Sequence, residues 1–116
     1  MKVEVGIDVV EIERFKKAKE EYKDRFLNRI FTEREIRNLP SEEKDLYLCI
    51  NFSFKEAVWK SLPENLQKRY YFKDIEIGWK DKKPYLLQKP DNMDFSLSFS
   101  VSGNYVFTVC VAFILK

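Results

Sequence analysis

Histidine is absent from the 116 residues. That removes the usual general base and the usual metal ligand, so any acid–base or metal chemistry falls to carboxylates, lysines or hydroxyls. Cysteine is scarce. Cys49 and Cys110 lie in apolar contexts without metal-ligand spacing, and they read as buried reduced thiols of a cytoplasmic protein. Only 3 glycines and 4 prolines leave little room for long irregular loops. Neither sign of charge dominates: a net charge of +2 is too weak to argue for a nucleic-acid partner. Long hydrophobic runs are missing as well. The opening MKVEVGIDVV lacks the apolar h-region of a signal peptide. The run from Tyr105 to Leu115 contains Thr108 and is too short to span a bilayer as a helix. No membrane partner is expected.

What is present is enough to build a core. Hydrophobic content is 45% and charged content 34%, which suits a packed chain and argues against disorder. The length fits one domain over residues 1–116. The 10 Phe and 6 Tyr suggest either a bulky core or an apolar contact surface, and composition does not choose between them.

Residues 2–9 alternate, with Val3, Val5, Ile7 and Val9 on one face and Lys2, Glu4, Gly6 and Asp8 on the other. The pattern predicts a strand whose valine face is buried. Ile12, Phe15, Ala18 and Tyr22 recur at helical spacing, with acids in the first turn, which predicts a helix over about Glu11–Glu21. A short helix is expected over Asp24–Ile30. Thr32-Glu33-Arg34-Glu35 reads as a capping box. Ser41 is placed to cap a long helix reaching Leu62 and stopped by Pro63. The second half changes period: Tyr70–Trp79, Pro84–Leu87, Asp94–Val101 and 105–115 read as strands, with turns at 81–83 and 102–104. The expected fold class is α+β, an antiparallel sheet packed on a long central helix.

The stretch FSFKEAVWKSL, Phe52–Leu62, is the most informative. At about 100° per residue, Ile50, Phe54, Ala57, Val58 and Leu62 gather on a core face. Glu56 and Lys60 fall together on the other side, near Cys49 and Ser53 and flanked by Phe52 and Trp59. One reading is a surface pair at i,i+4, worth about 0.3–0.5 kcal/mol. Another is a small charged site. Asp8 bears on the choice, because it shares a strand face with Gly6, where a backbone or ligand can approach closely. If the first strand lies beside the long helix, Asp8 and Glu56 converge, and two carboxylates with open positions suit Mg²⁺. Asp8 reads equally well as a cap for the helix that follows.

These residues resemble a known family. GIDVVEIERF (6–15) resembles the opening of the holo-acyl-carrier-protein synthases, small 4′-phosphopantetheinyl transferases. NFSFKEAVWKSL (51–62) resembles their second signature, matched at Phe52, Lys55, Glu56, Ala57 and Lys60. RFLNRIFTEREI (25–36) resembles the linking helices. Lys83-Pro84-Tyr85-Leu86 is similar to a Gly-Lys-Pro loop, and Ser96-Leu97-Ser98 to a Ser-x-Ser strand. The resemblance implies transfer of the phosphopantetheine arm from coenzyme A to a serine of apo acyl carrier protein, leaving adenosine 3′,5′-bisphosphate. It implies that Asp8 and Glu56 hold Mg²⁺ and that Lys60 meets phosphate. Lys83, Pro84, Ser98 and Ser100 would then contact substrate. Arg14 would meet an acidic carrier protein, with Lys16, Lys17, Lys19, Lys23 and Arg25 nearby to steer it. Asp8, Glu56 and Lys60 would form the catalytic set, with Glu56, directly or through a water, as the base for the serine proton. A homotrimer is implied too.

Three positions depart from the family pattern. Phe99 follows Ser-x-Ser where the family usually has histidine, Asn51 stands for an arginine, and Lys82 for the glycine of Gly-Lys-Pro. All three belong to the coenzyme A side, which leaves open a non-catalytic module binding coenzyme A or a carrier protein. A Mg²⁺-dependent phosphotransferase or hydrolase of another kind is a third reading.

Overall fold

The computed structural model describes residues 1–115. Strand β1 (Lys2–Glu11) leads straight into α1 (Ile12–Ile30), which breaks at Lys23, a non-helical residue with φ 50°. The break divides α1 where the sequence ends one apolar periodicity and begins another. The short α2 (Glu33–Arg37) follows, then the long α3 (Lys44–Ser61) and the single turn α4 (Glu64–Gln67). A 3₁₀ turn over Phe72–Asp74 leads to the hairpin β2 (Ile77–Lys80) and β3 (Lys83–Leu86). Two long strands, β4 (Met93–Ser102) and β5 (Tyr105–Ile114), complete the chain.

The main sheet is antiparallel with order β1-β5-β4, and β2-β3 form a separate two-stranded sheet. Helix α3 lies across β1 and β5, so the expected α+β arrangement is present. Its core face is the expected one: Ile50, Phe54, Ala57, Val58 and Leu62 are all buried. Burial goes further round the helix than the wheel suggested, taking in Cys49, Asn51, Ser53, Lys55 and Ser61. No helix among the described residues is long and apolar enough to cross a membrane.

The orientation of β1 is the reverse of the expectation. Val3, Val5, Ile7 and Val9 are exposed, at 49–65%, while Gly6 is buried and Asp8 half-buried. The reason is Gly6. A Cβ there would stand 1.9 Å from the Ala57 carbonyl oxygen, so only the bare backbone admits the helix at this distance. Once Gly6 faces α3, the period of two sends Asp8 inward and the valines outward. On that outer face Val5, Ile7 and Val9 pair with Val111, Val109 and Phe107 of β5. Tyr105 and Phe107 are exposed beside them.

Three other expectations are corrected. Ser41 does not cap α3: the helix starts after Glu43, whose left-handed φ of 58° ends the preceding bend. The segment 70–76 is not strand. Asp74 accepts the Tyr71 N–H at 2.9 Å and closes a turn there, and the carbonyls of Phe72 and Ile75 are taken by a lysine rather than by a ladder. After Pro63, which does end α3, the chain makes the extra turn α4. The capping box is half right: Thr32 Oγ1 accepts from Glu35 N at 3.1 Å, but the Glu35 carboxylate turns into the core. At the β2-β3 turn Asp81 and Lys82 both have positive φ, 52° and 63°, a backbone in which glycine is the unstrained residue.

Candidate active site

Asp8 sits near the end of the edge strand β1 with its side chain 12% exposed. Ser53 Oγ donates to its Oδ2 at 2.9 Å and lies 2.7 Å from Thr108 Oγ1, so α3, β1 and β5 meet in one hydrogen-bonded chain. On the solvent side Lys60 Nζ donates to Asp8 Oδ1 at 3.3 Å and to the Ile7 carbonyl at 3.1 Å. Lys60 remains 47% exposed, with donor capacity left over.

Glu56 lies one turn before Lys60, half-buried. Its carboxyl is held above the usual carboxylate range, first by burial and then by the negative charge of Asp8, with Lys60 pulling the other way. Glu56 thus lies within electrostatic reach of both Asp8 and the Lys60 ammonium. The two carboxylates are a good seat for a hard divalent cation, which favours oxygen ligands and relieves their repulsion. Among the described residues no group of three or more acids or cysteines converges. Asp8 and Glu56 are the carboxylates that could hold such an ion, and Mg²⁺ keeps waters and substrate phosphates in its other positions.

Two openings flank this cluster. A groove of about 660 Å³ is lined by Asp8, Lys60, Ile7, Ser98, Ser100 and Phe107. It runs along the outer face of the sheet, where Ser98 and Ser100 stand opposite Val109 and Phe107. The second is a more apolar cavity of about 290 Å³ walled by Glu56, Trp59, Tyr70, Tyr71, Phe72 and Ile75. The cluster thus divides them: Asp8 and Lys60 face the groove, and Glu56 the cavity. Trp59 Nε1 donates to the Gln67 carbonyl at 3.0 Å and Gln67 Nε2 to the Trp59 carbonyl at 2.9 Å, tying α4 back on α3.

Of the residues picked from sequence, Asp8, Glu56 and Lys60 form this cluster, while Ser98 and Ser100 line the groove from β4, on the outer face of the sheet with β5 between them and Asp8. Lys83 and Pro84 lie on the β2-β3 hairpin and line neither opening. Arg14 is exposed on α1 and lines a separate recess with Glu11, Phe15, Phe26 and Phe52. Around it the basic residues are partly matched by acids: Lys19 pairs with Asp45 at 2.8 Å and Lys16 with Glu13 at 4.0 Å. Asn51 is fully buried, accepting from Trp79 Nε1 at 2.9 Å. Phe99 packs its ring against Trp79 and Phe54, with centroids 5.6 and 6.0 Å away.

Sequence reasoning missed the Ser53–Thr108 support beneath Asp8. The available signal was Thr108, a polar residue inside an otherwise apolar strand. It also missed the partner of Lys55. That lysine is fully buried against Glu35, 2.7 Å from Oε1. Both cysteines are free and buried. Burial pushes Cys49 up to about 12, with Asp8 adding to it, and Cys110 to about 11, so both stay protonated thiols.

The chain matches the family model of the 4′-phosphopantetheinyl transferase superfamily over residues 4–110. It is 34% identical over 116 residues to a holo-[acyl-carrier-protein] synthase of Chlamydia trachomatis, covering 93% of this chain and 97% of that protein. To a holo-[acyl-carrier-protein] synthase of Thermodesulfovibrio yellowstonii it is 36% identical over 113 residues, covering 96% and 95%. Among solved structures, the holo-[acyl-carrier-protein] synthase of Helicobacter pylori in complex with coenzyme A superposes with a TM-score of 0.77 and 27% identity, covering 94% of this chain and 99% of that one.

Proposed function

This chain belongs to the 4′-phosphopantetheinyl transferase superfamily, and we propose that it moves the 4′-phosphopantetheine group of coenzyme A onto a serine of an acidic apo acyl carrier protein. The observation that carries this reading is the convergence of Asp8, Glu56 and Lys60 between two openings. In the reaction the serine oxygen bonds to the β-phosphorus. The bond from that phosphorus to the bridging oxygen breaks, its electron pair leaves with adenosine 3′,5′-bisphosphate, and the serine proton goes to a base.

Glu56 suits the base. It lines the cavity and would take the proton directly or through a water. Lys60 keeps exposed donors beside Asp8 and supplies positive charge where negative charge grows on the phosphates. Asp8, steadied by Ser53, together with Glu56 would hold Mg²⁺. When bound, that ion supplies Lewis-acid stabilisation of the diphosphate. The protein's part is thus in-line placement and charge.

Ser98 and Ser100 offer hydroxyls along the groove to the coenzyme A side, and Lys83 and Pro84 would add contacts from the hairpin. Arg14 on the exposed face of α1 would meet the acidic carrier. The exposed valines of β1, with Ile7, Tyr105 and Phe107, form an apolar face that favours assembly, and a homotrimer is the state we assign to it.

The test is direct. Incubated with coenzyme A, Mg²⁺ and apo carrier protein, the protein should add the mass of phosphopantetheine to the carrier, and Glu56→Ala should abolish the gain. Binding of coenzyme A or carrier without any mass gain would overturn the enzymatic reading in favour of a binding module.

A further inference from the structure

Lys55 and Glu56 are neighbours in sequence but do opposite things. Both line the cavity, but Glu56 is half-exposed there, while the Lys55 ammonium is sealed beneath the wall. A fully buried lysine is costly unless every proton finds an acceptor, and here each does. Nζ donates to Glu35 Oε1 at 2.7 Å, to the Phe72 carbonyl at 2.8 Å and to the Ile75 carbonyl. Glu35 is anchored in turn, accepting the Ile77 N–H at 3.2 Å and Asn51 Nδ2 at 3.4 Å on its other oxygen. A pair buried this deeply is a poor source of stability, since apolar residues of similar volume often serve as well. What apolar residues do not supply is a tie to two backbone carbonyls in a segment without a strand ladder.

That segment is the wall of the cavity. Phe72 and Ile75 line it together with Tyr71, facing Glu56 and Trp59. Phe72 also stacks on Phe52 of α3, with centroids 5.5 Å apart. The wall is thus fastened to the same turn of α3 that presents Glu56. The lysine that holds its carbonyls is one residue from Glu56.

We infer that the Glu35–Lys55 pair is a positioning clamp, which fixes the 71–75 wall against α3 so that the cavity keeps the shape that binds the substrate part entering it. Lys55 and Glu35 touch no reacting atom and act through the carbonyls of Phe72 and Ile75. The inference rests on the reading that the cavity beside Glu56 receives substrate.

The experiment compares wild type with the double variant Glu35→Leu/Lys55→Met, which replaces the pair by apolar groups of similar size. It reads KM and kcat for coenzyme A and the melting temperature. The clamp predicts a folded protein and a KM raised about tenfold with kcat changed far less. A folded double variant with KM within about twofold of wild type overturns the clamp and leaves a structural pair. Should the double variant fail to fold, Phe72→Leu alters the half-buried wall directly. It must raise KM in the same way, and an unchanged KM there overturns the proposal. Absence of phosphopantetheine transfer by the wild type itself would instead sink the proposed function, so the two failures are separable.

Discussion

Of the lysines on helix α3, Lys55 and Lys60 stand five residues apart and live in different electrostatic worlds. Lys55 is sealed, paired with a sealed Glu35, and has all three protons donated. Lys60 is half-exposed, 3.3 Å from a mostly buried Asp8, and has protons to spare. Around Lys55 the charges are matched and saturated. Around Lys60 one carboxylate, Asp8, is in ion-pair contact, and a second, Glu56, feels both charges without a partner of its own among the ion pairs of the described residues. The contrast teaches where to look for chemistry. A saturated charge network fixes shape, and an unsaturated one beside a cavity has room for a ligand that completes it.

The largest effect that tests this contrast is on stability. Lys55→Met alone strands a buried carboxylate and should cost about 3–5 kcal/mol. Lys60→Met removes a half-exposed partner and should cost at most about 1 kcal/mol. Chemical denaturation of both variants checks this, and equal costs would erase the distinction between the two lysines.

The next effect is on pH dependence. Burial and Asp8 raise the Glu56 carboxyl above its ordinary value of 4.5 in the folded protein, so between the unfolded and folded values the native state holds more protons than the unfolded one. Stability from this group must then fall as pH rises through that window. Glu56→Gln should remove that fall, most clearly in protein free of divalent ions. Asp8→Asn should lower the Glu56 titration and Lys60→Met raise it, as side-chain NMR would read. An Asp8→Asn variant with an unshifted Glu56 would mean that the two acids do not sense each other.

The smallest effect is that of salt. Raising ionic strength should shrink the already small cost of Lys60→Met towards zero. It should leave the cost of Lys55→Met nearly unchanged, because ions screen only the exposed pair.

Parts of this arrangement were legible in the sequence and parts were not, for physical reasons. Alternation in β1 showed a two-faced strand, and the helical spacing in α3 showed its core face. Neither says which strand face meets the helix. That was decided by the contact of Gly6 with the Ala57 carbonyl, a tertiary fact. The aromatic, alternating look of 70–79 suggested one strand, but Lys55 captures the carbonyls that a ladder would have used. Glu35 looked like half of a capping box, and local pattern has no view of the buried ammonium that claims it. The wheel set Ser53 beside Glu56, yet its role under Asp8 needed Thr108 from the far end of the chain. Asp8, Glu56 and Lys60 were singled out because their residue types suit the proposed chemistry and because the two segments resemble a family. Their meeting depends on β1 lying against α3.

The measurement that bears most directly on the account is a Mg²⁺ titration followed at the side-chain carboxyl carbons of Asp8 and Glu56. The account predicts that both signals move together and saturate at one ion per site, with the Glu56 titration shifted downward as the ion replaces the proton. Signals that stay put, or only one that moves, would show that the two acids do not share a cation, and the proposed catalytic centre would be contradicted.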